Sequence, residues 1–292
     1  MTEAQLFPNE TFKKLMNVRI ASKSKIRGHH KGSHRAQRAG TSMDFSDYRA
    51  YHLGDDVRQI DWNVYAKSEK YYIKRFLDEQ EMRIQILLDG TKSMMVKHEK
   101  WLLAKQIAAA LGMIVLQRED RVQCSFVATQ PIAPFRGKGS AAKQKLMHTF
   151  DRIQEPMLEG YFSEQANKHL IKGQTILFII TDALEPTKQL ETLIRRLPAF
   201  SSDIRIIQLV EEDVIKPSFL GDIELFDIET EQKLNVSVSD QTLKKYFEAK
   251  DHHEMQLDVL CKKYNVARIQ LFVEEGFQQS FFHRLKKANW IE

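Results

Sequence analysis

The sequence is poor in the residues that build stapled or metal-cluster folds. Its 292 residues include only two cysteines, Cys124 and Cys261, far apart and without CxxC or Cys/His spacing. Both sit in apolar patterns and read as small buried hydrophobes, which leaves no basis for a disulfide framework or a zinc site. No apolar run approaches the roughly 20 residues of a membrane-spanning helix; Ile176–Ile180 has the length of a strand. The stretch Met1–Glu10 lacks the basic-then-apolar order of a signal peptide, so the expectation is a soluble, cytoplasmic protein. The Walker phosphate-loop pattern is absent, and Gly137-x-Gly139 is too short to replace it. Nucleotide hydrolysis by this chain alone is therefore not expected. Glycine (12) and proline (7) are sparse while 42% of residues are hydrophobic, which is the composition of a globular protein with a real core.

What is present is unevenly placed. The net charge of +5 is concentrated near the start: Lys13, Lys14, Arg19, Lys23, Lys25, Arg27, Lys31, Arg35 and Arg38 follow one another with no acidic residue between them. The part from Ser22 to Ser42 has almost no large apolar residue and reads as a loop or mobile arm. Thr11–Ile20 has the spacing of a short amphipathic helix. Order returns with Phe45, Tyr48, Tyr51, Leu53, Val57, Ile60 and Trp62, enough to dock a small lobe but not to form a core of its own. The expected organisation is a basic segment over 1–42, a lobe over 43–81 and a large domain over 82–292.

From Arg83 onward, apolar strands alternate with amphipathic helices. Strands are expected at Ile84–Leu88, Arg121–Ala128, Thr175–Ile180, Ile204–Val210 and Ala267–Val273, with helices at Lys100–Gln117, Ser140–Ile153, Lys188–Leu197, from Asp240 to about Tyr264, and Gly276–Ala288. Continuous apolar strands separated by helices imply right-handed crossovers and a doubly wound, mainly parallel sheet covered on both faces. The alternation breaks at 222–238, which reads as an inserted β-hairpin.

Ligands of an open α/β sheet bind beyond the carboxyl ends of its strands. Two such ends carry oxygen ligands: Asp89, Thr91 and Ser93 after the first strand, and Thr181-Asp182 after the Thr175–Ile180 strand. Carboxylates and hydroxyls of this kind suit Mg²⁺ or Mn²⁺. The competing reading is helix capping by Asp89, Thr91 and Ser93. Against it, two carboxylates converging at one sheet edge repel unless something neutralises them.

The Asp89-x-Thr91-x-Ser93 loop resembles the metal-ion-dependent adhesion site of von Willebrand factor A domains, with Asp182 in place of the family's distal aspartate. The stretch before it is more specific. Gly40 to Phe45, Tyr48-Arg49-x-Tyr51, Gly54-Asp55-Asp56-x-Arg58-x-Ile60-Asp61-Trp62, Glu79 or Glu81, and Gly221-Asp222 to Asp227 resemble the signature of bacterial domain-of-unknown-function family 58, from roughly Arg27 to the C-terminus. That resemblance implies a von Willebrand factor A-like fold and an adaptor or co-chaperone role beside a MoxR-type AAA+ ATPase and its client. It also implies a middle-loop hydroxyl in the metal site, for which Ser140 is the candidate. Thr91 keeps the hydroxyl that the family's serine supplies, whereas Lys92 places a cation inside the loop.

Within the signature, Gly54, Asp55, Asp56, Arg58, Asp61 and Trp62 are expected to form a hydrogen-bonded network anchoring the lobe. No nucleophile with an adjacent base emerges from the sequence, so the expectation is a non-enzymatic protein-binding module. The alternative is nucleic-acid or anionic-surface binding through Lys23, Lys25, Arg27, Lys31, Arg35 and Arg38.

Overall fold

The computed structural model describes residues 6–22, 44–77, 81–128, 132–153, 160–215, 221–226 and 233–292. The basic-arm residues Lys23, Lys25, Arg27, Lys31, Arg35 and Arg38, and Gly40, Glu79 and Asp227 of the signature, lie outside them. Contacts divide the chain into two compact units, Met1–Ser24 with Met82–Glu292, and Lys25–Glu81.

In chain order the strands are β1 (Asp44–Ala50), β2 (Tyr72–Leu77), β3 (Arg83–Asp89), β4 (Arg121–Val127), β5 (Phe135–Lys138), β6 (Gln174–Thr181), β7 (Ser201–Val210), β8 (Gly221–Phe226), β9 (Lys233–Val238) and β10 (Val266–Phe272). The helices are α1 (Asn9–Leu15), α2 (Trp62–Ser68), α3 (His98–Gln117), α4 (Lys143–Arg152), α5 (Phe162–His169), α6 (Thr187–Ile194), α7 (Glu212–Ile215), α8 (Asp240–Lys263) and α9 (Gly276–Gln278), the last running into a π-helix at Gln279–Leu285.

The larger unit is an α/β fold around a six-stranded sheet in the order β10-β7-β6-β3-β4-β5. Neighbours pair in parallel except for β5, which runs antiparallel along β4 as an edge strand. Side chains on successive strand residues point to opposite faces, and both faces are apolar. Ile84, Ile86, Leu88, Ile176, Phe178, Ile180, Ile207 and Leu209 pack into one cluster with α3 and α4. Leu87, Leu177, Ile179, Ile204 and Ile206 pack into a second with α5, α6 and α8. Gln85 is the polar exception on its strand. Fully buried, it is satisfied by the chain leaving α5, donating to the His169 carbonyl at 2.6 Å and accepting from the Ile171 amide at 3.1 Å.

The expected hairpin is present as β8 paired with β9. The long helix is capped one residue earlier than expected: it begins at Asp240, and the Ser239 hydroxyl accepts from the Thr242 amide. Asn265, just past the helix, adopts the left-handed conformation (φ 54°) of a helix C-terminus.

Residues 6–22, read from the sequence as the start of a basic segment, are part of the α/β unit because they carry apolar groups that the sheet side buries. Leu6, Phe7, Leu15 and Ile20 are buried, and Phe7 meets Phe277 of α9 with ring centroids 5.1 Å apart. Ile20 pairs with Ile291, closing the two ends of the chain on each other. Arg205 of β7 clamps that junction. Its guanidinium, 1% exposed, makes a two-pronged pair with Asp203 (2.9 and 2.6 Å) and donates to the carbonyls of Ala21 and Trp290.

In the smaller unit β1 and β2 pair antiparallel, with α2 between them in the chain. Neither α2 nor β2 was evident in the sequence.

Removing one member of a buried, hydrogen-bonded ion pair strands the other charge, a loss of about 3–5 kcal/mol. Arg205→Met is expected to fall in that range by urea unfolding, and adding Asp203→Asn is expected to restore more than half of the loss.

Candidate functional site

The topology fixes where the site lies. From β3 the chain crosses to β4 on one side, then returns to β6 on the other, so the winding reverses between β3 and β6. A crevice opens beyond the carboxyl ends of strands at such a switch point. Asp89 is the last residue of β3, Thr181 is the last of β6, and Asp182 follows it. Both aspartates are almost fully buried, at 1% and 4% exposure.

The Asp89 carboxylate gathers three donors. One oxygen accepts from the Thr91 amide (2.9 Å) and hydroxyl (2.8 Å), and the other accepts from the Thr181 hydroxyl at 2.5 Å. Ser93 Oγ lies 3.0 Å from Thr91 Oγ1. Asp89, Thr91, Ser93, Thr181 and Asp182 are therefore brought together. Helix capping does not account for them. The residue preceding α3 is Lys97, and no side chain caps that helix.

Ser140 is not part of the cluster, and its candidacy is corrected. β5 runs antiparallel, so Lys138 pairs with Arg121 at the amino end of β4. Ser140 follows directly and donates to Glu119 Oε1 at 3.0 Å. Asp89 aligns instead with Val127 at the other end of β4, and six strand residues span roughly 20 Å. The antiparallel turn-back of β5 carries Ser140 to the wrong edge.

The structure adds residues that the motif did not reveal. Lys100, in the first turn of α3, places its buried ammonium 3.1 Å from Asp182 and 2.7 Å from Glu211, the residue after β7. Burial works against this ammonium, but attraction to Asp182 and the Glu211 hydrogen bond more than offset it, and its pKa is raised. Glu211 also meets Lys97 at 3.4 Å. A fourth carboxylate, Glu185, accepts from the Ser163 amide at the start of α5 and is pushed up to about 6, mainly by burial. Glu211 carried a legible signal, since it too sits at a strand end; Lys100 did not, because nothing local marks it. Ala183, directly after Asp182, holds φ 55° although it is not glycine. Such backbone strain collects at functional sites.

Asp89 itself is held by neutral donors. Burial first, then the nearby Asp182 charge, drive the Asp89 pKa up to about 8, against the lowering effect of the Thr181 and Thr91 hydrogen bonds. Two carboxylates with three hydroxyls form the oxygen-rich set that a hard divalent ion takes, so the donor chemistry fits Mg²⁺ or Mn²⁺ at Asp89. Next to it, an open cleft of about 540 Å³ is lined by Lys100, Asp182, Glu211, Tyr246, His253 and Arg268 among others. His253 lies 2.9 Å from the Ala183 carbonyl.

The signature residues of the smaller unit make a local network. Asp55 accepts from Arg49 and the His52 amide, both at 2.9 Å. Asp56 pairs with Arg58 at 3.1 Å. Asp61 caps α2 through the Asn63 and Val64 amides and accepts from Tyr48 Oη at 3.0 Å. Gly54 adopts φ 106°, which only glycine holds without strain. Trp62 is exposed and meets Tyr65 edge-on.

An acid whose folded pKa exceeds its unfolded value of about 3.9 stabilises the fold while protonated, and that contribution disappears as pH rises through the folded pKa. With chelator present, the urea midpoint of the wild type is expected to fall between about pH 5 and about pH 8.5. Asp89→Asn is expected to flatten that decline; an unchanged slope would show that Asp89 is not the group responsible.

A family model described as "Protein of unknown function DUF58" matches residues 47–256. "Uncharacterized protein Mb1516" of Mycobacterium bovis and "Uncharacterized protein Rv1480" of Mycobacterium tuberculosis are each 22% identical over 243 residues, covering 74% of this chain and 70% of theirs. Among solved structures, the conserved hypothetical protein BatB from Bacteroides thetaiotaomicron is similar at 10% identity and a TM-score of 0.38, covering 70% of this chain and 98% of its own. An aerotolerance-related membrane protein from Bacteroides fragilis is similar at 14% identity and a TM-score of 0.35, covering 70% and 99%. The family match spans the Gly54–Trp62 signature, both strand-end aspartates and the hairpin, and the chain belongs to the DUF58 family of proteins of unknown function.

Proposed function

We propose that this protein is a non-enzymatic interaction module of von Willebrand factor A-like type, which binds a partner carboxylate through a divalent cation held at Asp89. The observation that carries this reading is the convergence of Asp89, Thr91, Ser93, Thr181 and Asp182 at the switch point of the sheet. Asp89 and Asp182 would hold the ion, with Thr91 and Ser93 supplying neutral oxygens. A cation held by so few protein carboxylates keeps positions for water or for an incoming acidic side chain. The ion would supply a strong, directional contact for that side chain. The chain's own residues fix where it forms, because Thr181 and Thr91 orient Asp89.

The module fits an adaptor role beside a MoxR-type AAA+ ATPase and the client it remodels, in a bacterial cytoplasm. Support for the ATPase comes from the family resemblance alone. No helix of the described residues is long and apolar enough to cross a membrane.

Calorimetric titration with Mg²⁺ and Mn²⁺ tests the cation, and pull-down of a purified MoxR-type ATPase from the same organism tests the partner. Asp89→Ala is expected to abolish both signals while the circular dichroism spectrum stays unchanged. ATPase capture that survives Asp89→Ala would sink the metal-bridged version. The basic arm favours a second reading, binding to nucleic acid. Salt-sensitive retention on DNA that disappears when residues 23–38 are deleted would favour it; the deletion spares Lys13, Lys14 and Arg19, which belong to the packed segment.

A further inference from the structure

We propose that Lys100 is a built-in cation of the Asp89–Asp182 site and sets its affinity for a divalent ion by competing for Asp182. This rests on the cation reading of the site above, which it deepens by naming the residue that restrains metal binding.

The geometry carries the argument. The Lys100 side chain is 3% exposed, and its ammonium sits 3.1 Å from Asp182 Oδ2 and 2.7 Å from Glu211 Oε1. The other Asp182 oxygen accepts from the Leu184 amide at 3.3 Å. Both oxygens of the second strand-end aspartate are thus engaged from within the chain. Lys97, one turn earlier on the same side of the helix start, meets Glu211, Asp213 and Glu274. Two ammonium groups therefore stand against Asp182 and Glu211, and Asp89 is left to hydroxyl and amide donors alone.

An ammonium has three donors and no acceptor, so Lys100 cannot become a ligand. A divalent ion drawn to both aspartates would have to displace it or bind in its field. Repulsion between charges a few ångströms apart is weakly screened in a buried site. Lys100 makes Asp182 a shared carboxylate, whereas an ion at Asp89 meets only the neutral donors of Thr91 and Thr181. The consequence is a site of restrained affinity, one that an acidic partner strengthens by adding the carboxylate that Lys100 withholds.

The test is calorimetry of the full chain with Mn²⁺, comparing wild type, Lys100→Gln and Lys100→Arg. Lys100→Gln is expected to bind at least about tenfold more tightly, and Lys100→Arg, which keeps the charge, to stay within about twofold of wild type. Adding Asp89→Ala to Lys100→Gln is expected to abolish the gain, locating the ion at this site. Should Lys100→Gln fail to fold, the charge-balanced Lys100→Gln/Glu211→Gln protein replaces it, with the same tightening expected because Asp182 is again released. Equal or weaker binding by the lysine-free proteins overturns the proposal. The two ideas separate cleanly. A silent wild type with a binding Lys100→Gln variant supports Lys100 as the resident cation and removes the metal from the wild-type reading. A binding wild type with no gain on substitution keeps the metal and refutes the role of Lys100. Silence from every protein refutes both.

Discussion

Bringing two carboxylates into one buried crevice is the constraint around which this molecule is arranged. Asp89 and Asp182 stand at the ends of adjacent parallel strands, almost without solvent. Like charges in such a place are tolerated only when protonated, hydrogen-bonded or paired. The chain uses hydrogen bonding for Asp89, through Thr181 and the Thr91 turn, and an ion pair for Asp182, through Lys100. The raised Asp89 pKa records what those devices leave uncompensated.

The fold supplies the rigidity that the arrangement needs. Both faces of the sheet are packed, so β3 and β6 cannot slide to separate their terminal aspartates. α3 enters the core along most of its length, from Trp101 to Leu116, which anchors Lys100 at its first turn. The Arg205 clamp ties the N-terminal segment to the C-terminal one through the carbonyls of Ala21 and Trp290. Oxygen donors on rigid strand ends, an adjacent cleft and a buried lysine thus share one crevice at the switch point of the sheet.

Much of this was legible in the residues. The alternation of apolar strands with helices of 8–24 residues is visible because both faces of each central strand are buried, which makes the strands continuously apolar. The Asp89 loop was legible because its carboxylate and two hydroxyls after a buried strand are matched by Thr181-Asp182 at a second strand end. The short helices α2 and α5 were not: the equally short α6 stood out through Leu190, Leu193 and Ile194, whereas α5 buries only Phe162, Ser163 and Ala166. Residues 6–22 were placed in the basic segment because their charges were weighed above the apolar positions of the expected Thr11–Ile20 helix, yet Leu6, Phe7, Leu15 and Ile20 are buried.

The sequence alone determined the class of fold, the family signature from Gly54 to Trp62, the hairpin at 222–238 and the two strand-end aspartates. These depend on local period and spacing, which one chain carries in full. Tertiary structure alone decided which oxygen donors meet. It excluded Ser140, because the antiparallel turn of β5 sends it to the opposite edge, and it brought in Lys100 and Glu211 from a helix start and a third strand end. Charge pairing in a buried site acts through space over a few ångströms, and no separation along the sequence encodes that distance.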